Sequence, residues 1–107
     1  MDTVDTRGKR EQEAGMLEKE VEKYLMEQVK KHGGLTYKFT APGTRAVPDR
    51  IVLKSGRTYF IELKRPGKEP RKDQLKMIDN FAKQNIPIQV IDTKAGVDQF
   101  IIKMLLP

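Results

Sequence analysis

Ser55 and Gly56 separate two short apolar runs, and that spacing leaves the chain between them little choice but a tight β-hairpin. Asp49 opens the first run, Ile51, Val52 and Leu53, and Thr58 to Lys64 forms the second. With Ser55 and Gly56 as the central residues of the turn, Lys54 faces Arg57 and the numbers of every opposed pair total 111. Asp49 then lies opposite Glu62. Opposed residues carry Cβ atoms about 4.5 to 5.5 Å apart on one face of the sheet. Lys64, two residues beyond Glu62, points to the same face.

Two carboxylates side by side repel, and no Lys or Arg lies between them in this register. A divalent cation resolves the conflict. An oxygen-only set built on two acids suits Mg²⁺ or Mn²⁺, which keeps several waters and accepts further oxygens from a phosphate. The backbone carbonyl of Leu63 can add one more donor. The chemistry expected of such a site is phosphodiester hydrolysis: the metal polarises the phosphate and lowers the pKa of a water, and Lys64 positions or deprotonates that water.

The hairpin sits inside an alternating α/β pattern. Residues 1–15 mix charges with Gly8 and Gly15 and read as a flexible tail. From Met16, Leu17, Val21, Leu25 and Val29 recur every four residues, an amphipathic helix that stops at Gly33 and Gly34. Leu35, Tyr37 and Phe39 alternate with Thr36, Lys38 and Thr40, which predicts a strand with one covered apolar face. Beyond the hairpin, Leu75, Ile78, Phe81 and Ala82 mark a second helix, with Pro70 suited to its first turn. Ile86 to Ile91 reads as a fourth strand. Thr93 is a plausible N-cap for a last helix carrying Val97, Phe100, Ile101, Met104 and Leu105. The predicted fold class is α/β, with a four-stranded mixed sheet flanked by helices in the order αβββαβ plus a C-terminal helix.

Composition narrows the chemistry. The 107 residues suit one domain with one modest core. The absence of cysteine excludes disulfides, thiolate zinc sites and a thiol nucleophile. Lone His32 disfavours a histidine-based nuclease site and is expected to interact with the carboxyl end of its helix. A formal charge of +6, from 21 Lys and Arg against 15 Asp and Glu, favours a polyanion as partner. Lys38, Arg45, Arg50, Arg65, Lys68, Arg71 and Lys72 surround the proposed site in sequence and are the expected phosphate contacts. About five such contacts give a slope of log affinity against log salt near −4 to −5. No apolar run approaches the roughly 20 residues needed to span a bilayer, and the charged N-terminus does not read as a secretory signal. A soluble, cytoplasmic protein without membrane attachment is expected.

Pro48-Asp49, twelve residues, then Glu62-Leu63-Lys64 resembles the PD-(D/E)xK nuclease motif. Gly33-Gly34-Leu35, the stretch from Pro42-Gly43 to Val47-Pro48-Asp49-Arg50, and Gln74 narrow the resemblance to the VRR-NUC family, in its short stand-alone phage and bacterial form. It covers roughly residues 16–103, so residues 16–107 are taken as the nuclease domain. The resemblance implies a restriction-endonuclease-like core, a 5′-phosphate product, and a site completed by Gln74 and by a glutamate on the first helix. Glu18 and Glu22, one turn apart, are the candidates for that glutamate, with Glu22 preferred. It further implies a homodimer that cleaves four-way (Holliday) junctions in the cytoplasm of a bacterial or phage-infected cell. Met104 to Leu106 and the first helix are candidates for the pairing surface. Where many relatives have glycine before Val-Pro-Asp, this chain has Ala46.

Three other readings stand beside this one. ExK and Pro-Asp occur singly on ordinary strands and turns. A non-catalytic nucleic-acid-binding module would share the helix, three strands and helix of a double-stranded-RNA-binding domain. It explains the charge and leaves the opposed acids unexplained. A flap- or nick-directed nuclease of the same fold is the second, and a degenerate assembly domain the third.

Overall fold

The computed structural model describes residues 7–66 and 68–106, with side chains from Glu18 onward. Its elements are α1 (Arg7–Lys31), β1 (Leu35–Lys38), β2 (Arg50–Lys54), β3 (Arg57–Leu63), α2 (Lys72–Lys83), β4 (Ile88–Ile91) and α3 (Lys94–Phe100). A π-helical turn, Ile101–Leu105, continues α3. The strands form one sheet in the order β1-β2-β3-β4. The first two pairings are antiparallel and the third is parallel.

Local chemistry explains most boundaries. Helix α1 ends at Gly33, whose φ of 82° is a left-handed conformation that glycine adopts without steric cost. The N–H of Gly33 donates to Lys30 and that of Gly34 to Val29, which satisfies two of the last helical carbonyls. His32 Nδ1 donates to the Gln28 carbonyl at 2.9 Å, at the carboxyl end as expected. In the hairpin, Ser55 (φ 53°) and Gly56 (φ 79°) both lie at positive φ, the turn whose twist matches its strands. Thr93 accepts a hydrogen bond from Gly96 N at 2.9 Å and caps α3.

The two faces of the sheet are covered by different helices. On one, Val52, Ile61, Leu63 and Ile91 meet Val21, Leu25 and Val29 of α1 and Val97, Phe100, Ile101 and Leu105 from the C-terminal helix. Tyr59 stands edge-on to Phe100 on this side. On the other, Phe60 packs edge-on against Phe81 of α2 and beside Phe39. Alternation along β3 therefore sends Tyr59, Ile61 and Leu63 one way and Thr58, Phe60 and Glu62 the other.

Several expectations need correction. Helix α1 extends back to Arg7, through most of the segment read as a tail; Glu11, Gln12, Glu13 and Ala14 are strong helix formers. Residues 1–6 of that segment lie outside the described residues. The apolar positions of β1 are not covered, since Leu35 and Tyr37 are both more than half exposed. Helix α1 lies on their opposite side, against Thr36 and Arg50, while α2 reaches only the β3-β4 end. Pro70 precedes α2 by two residues and is not in its first turn. Within Met104 to Leu106, Leu105 is buried, Met104 is packed against the core and Leu106 is exposed, and on the first helix Met26 is exposed. No described helix is long and apolar enough to cross a membrane.

Candidate active site

The hairpin ladder pairs Lys54 with Arg57 and Arg50 with Ile61, and its next step outward sets Asp49 opposite Glu62, the register that the Ser55-Gly56 turn predicts. Asp49 lies one residue outside β2. Its Oδ2 accepts a hydrogen bond from Leu63 N at 2.7 Å, which draws the carboxylate along β3 to the side of Glu62. Glu62 is only 5% exposed, and its Oε1 is buried without a hydrogen-bond partner among the described residues. Burial, and then the adjoining Asp49 carboxyl, push the Glu62 carboxyl up to about 8; the Asp49 backbone and Arg71 act more weakly in the opposite direction. A buried acid with one unpaired oxygen beside a second acid is costly to fold unless a positive group completes it.

Glu62 borders a cleft of about 440 Å³ between the end of β3 and the start of α2. Glu62, Leu63, Lys64, Arg65, Lys68, Arg71, Gln74 and Glu18 line it, with Leu75, Ile78 and Val90 as its apolar wall. Lys64 N donates to Ile91 O at 3.0 Å, so the parallel ladder continues through Lys64 and holds the backbone of the ExK triplet in place.

The other sequence-predicted residues divide between the cleft and the rest of the surface and core. Arg50 was expected at phosphate, but it is 4% exposed and turned to the α1 face. Its Nη1 meets Glu22 Oε2 at 3.0 Å and its Nε donates to Thr36 at 3.1 Å. The alternation that sends Asp49 one way sends Arg50 the other. Glu22, the preferred helix glutamate, is engaged by that guanidinium, whereas Glu18 lines the cleft and pairs with Arg65 at 3.7 Å. Lys38 stands opposite Arg50 and shares its face, away from Glu62. Lys72 is exposed on the first turn of α2. Gln74 borders the cleft, and its Oε1 accepts from Arg71 N at 2.8 Å, so the amide caps α2.

Asp73 was missed. It bridges Arg45 and Arg71 beside the cleft. Its signal was present in the sequence, as an acid directly after Arg71-Lys72 in the first turn of a helix, where an acid also complements the helix dipole.

Among the described residues no group of three or more His, Cys, Asp and Glu side chains comes together around one point. The donors in place are the Asp49 and Glu62 carboxylates. The Leu63 carbonyl leaves β3 on the same edge as its N–H, which faces Asp49. Two acids, one carbonyl and several waters meet the needs of Mg²⁺ or Mn²⁺, and the unpartnered Glu62 Oε1 is the atom such an ion would satisfy.

A helix, a three-stranded antiparallel meander, a crossover helix, a parallel fourth strand and a final helix define a restriction-endonuclease-like α/β core. A solved structure described as a VRR_NUC domain matches it with a TM-score of 0.75 and 30% identity, over 81% of this chain and 96% of that one. The chain belongs to the VRR-NUC family. A curated relative, "Putative nuclease p44" of Acyrthosiphon pisum secondary endosymbiont phage 1, is 48% identical over 60 residues. That match takes in 55% of this chain and 64% of the relative, so the chain spans less than two thirds of the relative's length. No family model matches the chain.

Proposed function

We propose that this protein is a divalent-metal-dependent DNA endonuclease, with Mg²⁺ or Mn²⁺ held by Asp49, Glu62 and the Leu63 carbonyl. The observation that carries this reading is the pairing of two acids in which Glu62 Oε1 is buried and, among the described residues, unpartnered. Family membership and the nuclease name of the phage relative support it.

When bound, the ion supplies positive charge to the phosphate and acidifies a water. Asp49 and Glu62 fix its place, Asp49 itself being oriented by the Leu63 N–H. Lys64, on the cleft wall, orients or deprotonates the attacking water and balances charge as the phosphorane forms. Arg65, Lys68 and Arg71 hold the flanking phosphates. Glu18 lines the cleft while Glu22 is paired with Arg50, which favours Glu18 as the first-helix glutamate that would serve the ion. The NH₂ group of Gln74 remains for a ligand after its oxygen caps α2.

Branched DNA is the substrate this reading favours, cut by a homodimer that offers one site to each strand of a four-way junction. The nuclease domain is taken as residues 16–107, acting in the cytoplasm. The test is incubation of the protein with a labelled four-way junction, flap, linear duplex and RNA, in Mg²⁺, Mn²⁺ and EDTA, beside Asp49→Asn and Lys64→Ala. Junction cleavage that needs metal and disappears in both variants is expected. Binding without cutting in every metal points instead to a non-catalytic module, and preferential flap cutting to the flap-directed alternative.

A further inference from the structure

We propose that Asp73 is a positioning residue that presents Arg45 and Arg71 together to one DNA phosphate at the rim of the cleft; this rests on the DNA-cleaving reading above. The two arginines come from distant parts of the chain, Arg45 from the loop between β1 and β2 and Arg71 from the N-cap of α2. One carboxylate joins them. Asp73 Oδ1 accepts from Arg71 Nε at 3.1 Å, and Oδ2 lies 3.4 Å from Arg45 Nε.

Both contacts run through Nε, the inner nitrogen of the guanidinium. The terminal NH₂ groups, which match the spacing of two phosphate oxygens, are left for an outside acceptor. Arg45 is 79% exposed and Arg71 53%, so those groups are open to a ligand. The hydrogen bond from Arg71 and the charges of both arginines hold the Asp73 carboxyl below its ordinary range, against a contribution from burial, so it stays ionised as their anchor. Arg71 also lines the cleft and acts electrostatically on Glu62, so a phosphate gripped there lies next to Glu62.

Without Asp73 two like charges face each other and two long side chains regain their rotamers, which makes the pair a poorer receptor. The competing view treats Asp73 as ordinary first-turn charge that dampens a basic surface. The two views differ in sign. Removing an acid raises the formal charge one unit above +6, and charge counting alone then predicts tighter binding of a polyanion.

The deciding measurement is fluorescence anisotropy of a labelled DNA duplex in EDTA, where cleavage does not interfere. It compares the wild type, Asp73→Asn, Arg45→Ala and the double variant, with a thermal melt of each to verify folding. Asp73→Asn is expected to bind three- to tenfold more weakly than wild type, and Arg45→Ala to cost less in the Asp73→Asn background than alone. Equal or tighter binding by folded Asp73→Asn overturns the proposal. Should that variant fail to fold, Asp73→Ser, a residue suited to helix starts, replaces it under the same two outcomes. A wild type that binds the duplex yet cuts nothing in any metal removes the nuclease reading and leaves this test standing; a folded wild type that does not bind the duplex overturns this proposal, while the nuclease reading stands or falls on the cleavage assay.

Discussion

Arg50 and Glu62 are equally buried, at 4% and 5% exposure, and lie one step apart on neighbouring strands, yet their surroundings are opposite. On the α1 face Arg50 has Glu22 and Thr36 to satisfy its charge. On the α2 face Glu62 has a second acid and an oxygen with no partner among the described residues. A buried charge with its own counter-charge is a structural solution; a buried charge set against its like is a site waiting for an ion or a proton. The comparison separates the two roles within one hairpin, and substitution on each face can break it.

The largest effect is expected on the α2 face. Glu62→Gln keeps the size of the side chain and removes a charge the ion needs, so cleavage should fall about 10³-fold in Mg²⁺. Single-turnover cleavage of a junction checks this. Activity within tenfold of wild type would place the metal elsewhere and dissolve the contrast between the faces.

On the α1 face the same kind of change should strike the fold. Arg50→Ala leaves Glu22 and Thr36 without their partner beneath α1, a loss of about 3 kcal/mol, or about 10–20 °C in Tm for a domain of this size. Thermal melts in EDTA check it. A drop of only a degree or two would show that the Arg50-Glu22 pair contributes little to stability.

The third effect has the opposite sign. In EDTA, Glu62 is protonated in both folded and unfolded chains at low pH and affects neither. As pH rises from about 4.5 towards 8 the unfolded chain releases the proton and the folded chain retains it, so stability falls; above 8 the penalty is complete. Glu62→Gln should therefore stabilise the metal-free protein by about 2 kcal/mol at pH 8.5 and by nothing at pH 4. Melts at the two pH values, with and without Mg²⁺, are the measurement. Added Mg²⁺ should raise the Tm of wild type at pH 8.5 and leave Glu62→Gln nearly unmoved.

What the sequence could and could not reveal follows the range of the forces involved. The Asp49-Glu62 register was legible because a two-residue turn and a period of two are local rules, and the same rules imply the inward turn of Arg50, against the phosphate contact that its place in the sequence suggests. The choice between Glu18 and Glu22 was not legible. It depends on how α1 is rotated over the sheet, which is settled by packing of Val21, Leu25 and Val29 against strands far along the chain. The bare face of β1 has the same origin, for alternation marks two faces without saying which of them a helix covers. Gln74 and Asp73 lie in one helical turn, and their partners, Arg71 N and the Arg45 guanidinium, appear only once the loop and helix start are folded.

The smallest expected effect tests the turn on which both faces depend. Ser55 is held at a φ of 53°, a left-handed conformation that costs an ordinary side chain about 1 kcal/mol or more, whereas asparagine tolerates it. Ser55 is exposed, so Ser55→Asn changes the backbone preference while disturbing little packing. It should stabilise the protein by about 0.5 kcal/mol, or about 2–4 °C in Tm, and leave cleavage unchanged. The reverse probe, Gly56→Val, forces a β-branched residue to a φ of 79° and should lower both Tm and cleavage, because a slipped register turns Glu62 away from Asp49. If Gly56→Val lowers Tm while the folded fraction cleaves at the wild-type rate, the register survives without its turn. The hydrogen bond from Leu63 N to Asp49, rather than the turn, would then be what holds the two acids together.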